Sequence, residues 1–156
     1  MYSVMDVARY VINYSNEKGY KITNLKLQKL LYFIQAIFLT NKDYQCFEER
    51  IEAWDYGPVV PDVYKEFKKY GSSSIPTISS YSVFNEETWK IEEHTVDSNL
   101  ICEEDRILID GVIDHFSNKT ANDLVNLTHK QSPWRDVYKK WSNEEITPES
   151  IKEYFS

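Results

Sequence analysis

The stretch that most constrains the fold runs from Thr23 to Leu39, T-N-L-K-L-Q-K-L-L-Y-F-I-Q-A-I-F-L, the longest nearly unbroken apolar run in the chain. Leu27, Leu30, Leu31, Ile34, Ile37 and Phe38 recur at the spacing of one helical face, and Leu25, Tyr32, Phe33, Ala36 and Leu39 cover most of what remains. A helix apolar on nearly every side has to be enclosed by other elements. A membrane crossing takes about 20 apolar residues. Here only about half that number follow one another before Thr40, Asn41, Lys42 and Asp43 end the run. The reading is therefore a buried central helix, with Thr23 as N-cap and with Gln35 needing a buried hydrogen-bond partner.

A chain of 156 residues can surround such a helix as one domain without metal or disulfide support. The expected fold is mainly α (α+β): six to seven helices packed round the apolar one, plus a small antiparallel β element, spanning residues 1–156 as a single domain. Twelve tyrosines against seven phenylalanines and four tryptophans require many hydroxyls to find partners or reach the surface, and they suit a binding face. A net charge of −7 argues against nucleic acid as partner, since phosphate contacts need clustered Lys and Arg. The opening M-Y-S-V-M-D-V-A-R carries no export or lipidation signal, which predicts a cytoplasmic location and keeps Cys46 and Cys102 as reduced thiols.

In chain order, Val4, Val7, Ala8, Val11 and Ile12 predict a helix over 4–17 capped by Ser3 and ended at Gly19. The alternating E-E-R-I-E-A-W predicts a short strand with Ile51 and Ala53 inward, Gly57-Pro58 a turn, and Pro61 the first residue of a helix reaching about Tyr70. Y-S-V-F and T-W-K-I around N-E-E suggest an exposed hairpin that starts late because of Pro76. Further helices are expected over 104–116 through Ile107, Leu108, Val112, Ile113 and Phe116, and from Thr120, with Asp123 completing a capping box. Another starts at Ser132-Pro133, with Trp134, Val137, Tyr138 and Trp141 inward. The last covers 149–155 and docks through Ile151, Tyr154 and Phe155.

No residue pattern calls for catalysis, a cofactor or a metal. Cys46, His94, Cys102, His115 and His129 lack the compact pairing of zinc ligands, the four glycines are scattered, and the adjacent glutamates (48-49, 92-93, 103-104, 144-145) read as solvated surface. Lys26 and Lys29 with Lys65, Lys68 and Lys69 read as solvated helix faces, the alternative being a modest basic patch. Asp55 between Trp54 and Tyr56 serves equally as a recognition cluster or as a rigid corner. His129, near a helix end, is placed to bond free carbonyls there, with partner contact as the alternative.

Four segments together resemble the Panacea-domain (SocA-like, GepA-like) antitoxin family: D-V-A-R-Y-V-I (6–12), I-T-N-L-K-L-Q-K-L-L-Y-F-I-Q-A (22–36), E-A-W-D-Y-G-P-V-V-P-D-V-Y (52–64) and L-V-N-L-T-H-K-Q-S-P-W (124–134). The order and spacing of L-Q-K-L-L-Y, A-W-x-Y-G-P-V and L-T-H-x-x-x-P-W make the resemblance specific. It implies an antitoxin of bacterial or prophage toxin–antitoxin operons that neutralises the toxin encoded beside it, usually by binding. One branch looks instead like an adaptor that hands the toxin to a host protease, and an enzyme reversing toxin damage is a further alternative. Relatives with an added helix-turn-helix bind DNA; the motif-bearing region leaves no room for one here. On this reading the partner-binding residues are Trp54, Asp55, Tyr56, Gly57, Pro58, Val59 and Val60, with the 75–96 segment beside them. Thr128, His129, Pro133 and Trp134 are structural or partner-binding.

Overall fold

The computed structural model describes all residues, Met1–Ser156. Seven α-helices dominate: α1 (Val4–Glu17), α2 (Asn24–Asn41), α3 (Pro61–Phe67), α4 (Glu103–His115), α5 (Ala121–His129), α6 (Ser132–Arg135) and α7 (Pro148–Phe155). Strands β1 (Ile51–Trp54), β2 (Gly57–Val59) and β5 (Glu145–Ile146) form an antiparallel sheet in the order β2-β1-β5, while β3 (Ser80–Asn85) and β4 (Lys90–Thr95) form a separate hairpin. The chain is thus mainly α with a small antiparallel β component, as the sequence predicts.

Helix α2 is the axis, and α1, α3, α4, α5, α7 and β2 all pack against it. Leu27, Leu30, Leu31, Tyr32, Ile34 and Phe38 are all buried, within one core cluster that also takes in Val7, Val11 and Ile12 of α1 and Ile109 and Ile113 of α4. The Thr23 hydroxyl accepts from the Lys26 N–H at 3.2 Å, as an N-cap should. Gln35 finds the partners it needs: its amide donates to Phe47 O (2.9 Å) and its oxygen accepts from Cys46 N–H (2.8 Å). The helix runs two residues beyond the expected end, through Thr40 and Asn41, whose side chains bond back to Ala36 O and Ile37 O.

Four of the twelve tyrosine hydroxyls bond to carboxylates on α4. Tyr10 donates to Asp110 (2.6 Å), Tyr14 and Tyr20 to Asp114 (2.9 and 3.0 Å), and Tyr2 to Asp105. These bonds fix α1 and its flanks against α4. Cys46 is buried, Cys102 exposed, and neither is in a disulfide.

Several local expectations change. Ser3 precedes α1 but makes no side-chain cap; the Glu49 carboxylate accepts from Val4 N–H instead, at 3.3 Å, which places Glu49 at a helix terminus rather than on solvated surface. Gly57-Pro58 is not the turn: Trp54 pairs with Gly57, so the two-residue turn is Asp55-Tyr56 and Gly57 opens β2. Ile107 faces solvent, its place in the core taken by Ile109. The helix expected from Ser132 lasts only to Arg135, capped by the Gln131 backbone, because the chain must reverse to lay Glu145–Ile146 along β1. Trp141 consequently leaves the core, 92% exposed in the left-handed region (φ 68°). Tyr154 is also exposed, at 44%. Trp89 belongs to the β3–β4 turn, not to its second strand.

Candidate functional site

The three sequence motifs meet at one place on α2. Its polar side chains, set among apolar ones, act as tie points for the two other motifs. Gln28 Oε1 accepts from Val60 N–H (2.9 Å), and its amide donates to Asn24, whose own amide donates to Tyr64 O. Tyr32 OH donates to Gln131 Oε1 at 2.8 Å, fixing the segment between α5 and α6. Lys29 reaches from α2 to the Pro58 carbonyl (2.9 Å) with no exposed surface. Burial away from water pushes its pKa down to about 7, since desolvation disfavours the charged ammonium.

Gly57 makes this approach possible. Its φ of +103° suits glycine, and a Cβ there would stand 2.7 Å from Lys29 Cε and 2.8 Å from Thr128 Oγ1. The glycine of A-W-D-Y-G-P, the lysine of L-Q-K-L-L-Y and the threonine of L-T-H-K-Q-S-P-W are therefore mutually packed. Thr128 is fully buried and turns its hydroxyl back to Val125 O (3.0 Å).

Above this junction lies an aromatic stack. The His129 ring lies on Trp134 at 3.9 Å, and Trp134 lies on Tyr138 at 4.5 Å, both pairs near parallel. Trp134 Nε1–H donates to Trp54 O (2.8 Å), and the Tyr138 hydroxyl donates to the Asp55 carboxylate. That bond holds the Tyr138 pKa up, because it favours the protonated phenol. The stack grips the Asp55-Tyr56 turn from one side. His129 does not cap its helix as expected: Nε2 is buried without a hydrogen bond, and burial lowers its pKa, opposed by the Asp55 backbone and reinforced by the Lys29 charge. Stacking is what places it.

The site residues thus fall into two layers. Gly57, Pro58, Val59 and Val60 are buried beneath the surface, as are Thr128, Pro133 and Trp134, while Asp55 and Tyr56 reach solvent and Trp54 and His129 are half-buried. Beside the turn is a cleft of about 330 Å³ lined mainly by Leu25, Trp54, Tyr56, Tyr64, Tyr138 and Trp141. Tyr56 (66% exposed) and Trp141 stand open at its rim. No group of three or more His, Cys, Asp or Glu side chains converges as a metal site would require.

Sequence reasoning missed Lys29, Gln28, Tyr32 and Gln131 as parts of this arrangement, and placed Trp141 inward. The available signal was a lysine on the Leu25–Lys29–Tyr32–Ala36 stripe of an otherwise apolar helix. Lys26 and Lys29 are not solvated helix faces, nor do they join a basic patch. Lys26 Nζ donates to Phe116 O and Lys119 O (2.9 and 2.7 Å), closing the end of α4, and Lys29 is sealed.

A helical domain whose three motifs lock one exposed turn defines a class, and family comparison supplies its name. Residues 27–135, well over half of the chain, match the family of SocA-like antitoxins with a Panacea domain, and the chain belongs to that family. Among curated proteins it is similar to antitoxin SocA of Caulobacter vibrioides (strain NA1000 / CB15N), 39% identical over 69 residues. That match takes in 44% of this chain and 37% of the relative, so the chain spans little more than a third of SocA's length. No solved structure matches. None of the helices is long and apolar enough to cross a membrane.

Proposed function

We propose that this antitoxin-family chain neutralises a toxin encoded in the same operon by binding it directly, acting in the cytoplasm as a single folded domain without enzymatic chemistry. The observation that carries the proposal is the open aromatic cleft: Tyr56, on a turn that the family's motifs hold from beneath, and Trp141, from the segment between α6 and β5, stand largely in solvent at its rim. Large exposed aromatics on a rigid support are what binding hot spots are made of, because they bury much area and lose little conformational freedom. The chain's net −7 suits a basic partner, for which charge complementarity speeds association. A catalytic reading finds little support, since the most strongly perturbed amine, Lys29, has no surface at which a substrate could meet it.

Co-expression with the product of the adjacent gene, followed by co-purification and a growth assay, tests the proposal. A stable complex and restored growth are expected, with Tyr56→Ala and Trp141→Ala each weakening the complex about tenfold or more at unchanged melting temperature. Absence of both complex and rescue refutes binding. Rescue that disappears when host proteases are deleted transfers the function to an adaptor.

A further inference from the structure

A second surface carries an inference that rests on the toxin-binding reading and deepens it. The β3–β4 hairpin is a free two-stranded ribbon, so the outer edges of both strands lack partners. It meets the helical body at its base, where the Arg9 guanidinium lies 3.4 Å over the Tyr81 ring and Asn13 exchanges two hydrogen bonds with Ile78. Tyr81 therefore faces inward, and the alternation of a strand puts Ser82, Phe84, Ile91 and Glu93 on the opposite face. On that outer face Phe84 opposes Ile91, and Trp89 sets its ring edge against Phe84 at 5.1 Å. Ile91 and Trp89 are about three-quarters exposed and Phe84 half exposed.

The two edges differ. Strand β4 carries Lys90, Glu92 and Glu93, but β3, S-Y-S-V-F-N, has no charge and no proline over six residues. Monomeric proteins guard free edges with charges, prolines or bulges, so an unguarded edge of this length is a template for another strand. Val96 N–H donates to Ser79 O, and antiparallel alternation from that pair directs the backbone N–H and C=O of Ser80, Ser82 and Phe84 outward. An isolated two-stranded ribbon is marginal in water; a third strand would complete it.

We infer that the β3 edge receives an extended segment of the toxin, which adds as a third strand and covers the Phe84–Trp89–Ile91 cluster. The ribbon's charge sets the chemistry of that segment. Residues 80–95 hold four glutamates against a single lysine, a net −3 of the whole chain's −7 with His94 neutral, in about a tenth of its length. The segment is accordingly β-prone and apolar on one face, flanked by Lys or Arg. Backbone pairing supplies affinity and the acidic rim supplies selectivity.

The test is the affinity of the toxin from the adjacent gene for five variants of the full chain. Ser82→Lys keeps the ribbon folded, because the new amine faces Glu93 across the strands, but repels a basic partner. Ser82→Pro removes an outward donor, Trp89→Ala removes the apolar anchor, and Tyr56→Ala reports the other surface. Each hairpin variant is expected to weaken binding at least tenfold with an unchanged melting temperature, and the salt dependence of binding falls in Glu86→Gln/Glu87→Gln. Wild-type binding with all hairpin variants equally tight overturns the inference and leaves the functional reading standing. Wild-type failure to bind overturns both. Self-association that the hairpin variants abolish assigns the edge to a second copy of the chain and likewise overturns the inference.

Discussion

Replacing Lys29 by methionine should change how stability depends on pH. In the folded chain the ammonium is fully buried with one backbone acceptor, and its pKa falls from 10.5 to about 7. Unfolded, the side chain regains its ordinary value. Between those two values the unfolded chain holds a proton that the folded chain has released, so unfolding takes up a proton and raising the pH favours the fold. The full difference, about 3.5 pKa units at 1.36 kcal/mol each, is on the order of 5 kcal/mol, lost as the pH falls from above 10.5 to below 7. Over the practical window from pH 7.5 to 8.5 the wild type should gain about 1 kcal/mol relative to Lys29→Met. Other groups act in the opposite direction. Burial raises the Cys46 thiol and the Tyr2, Tyr10, Tyr14 and Tyr32 phenols above their ordinary values, so stability is lost as the pH rises through the unfolded thiol and phenol ranges. They are common to both proteins and cancel in the difference. Losing the bond to Pro58 adds a constant offset that pH does not touch. The assay is urea unfolding of both proteins at pH 7.5, 8.0 and 8.5, and the gap between midpoints should move by about half a molar. A gap that stays constant across that range means Lys29 is not titrating from a buried neutral state, and refutes the reasoning.

Two further substitutions probe the same junction. Gly57→Ala places a methyl group 2.7 Å from Lys29 Cε and 2.8 Å from Thr128 Oγ1 at φ +103°, and should cost about 2–4 kcal/mol in chemical denaturation. Adding Thr128→Ala should return part of that loss, and a double-mutant cycle measures the coupling. Gln35→Leu leaves Cys46 N–H and Phe47 C=O unpaired inside the core, and should lower stability by about 2–4 kcal/mol with a matching fall in melting temperature.

Much of the fold could be read from periodicity, because α1, α2, α4 and α7 each turn one apolar stripe, or a nearly complete apolar surface, toward a shared core. Caps were equally legible where a hydroxyl met a free N–H: Thr23 and Thr120 both accept from the first turn of their helices. What failed were positions governed by long-range geometry. Trp141 looks like the next turn of an inward stripe, yet the chain has to double back so that Glu145–Ile146 can join β1. Ser3 looks like a cap, yet Glu49, 45 residues beyond the Val4 N–H it accepts from, takes its place.

The site was legible in composition but not in depth. The motif around Trp54 could be singled out by its aromatics, glycine and prolines, yet nothing local tells that Asp55 and Tyr56 stand in solvent while the next four residues are buried. That division follows from Lys29, which draws the Pro58 carbonyl onto α2 and leaves the preceding turn projecting. An apolar side chain at this position would pack at lower cost in desolvation, but would give β2 no directional contact to fix it. The lysine bond, the Gln28 bond to Val60 and the glycine that admits them together set one height and one orientation for the turn. A hydrophobic junction could slide; this one holds the turn in one register, and the Tyr138 hydroxyl on Asp55 extends that order to the rim of the cleft. The energetic cost carried inside α2 therefore corresponds to definition gained at the surface, on which the proposed toxin contact relies.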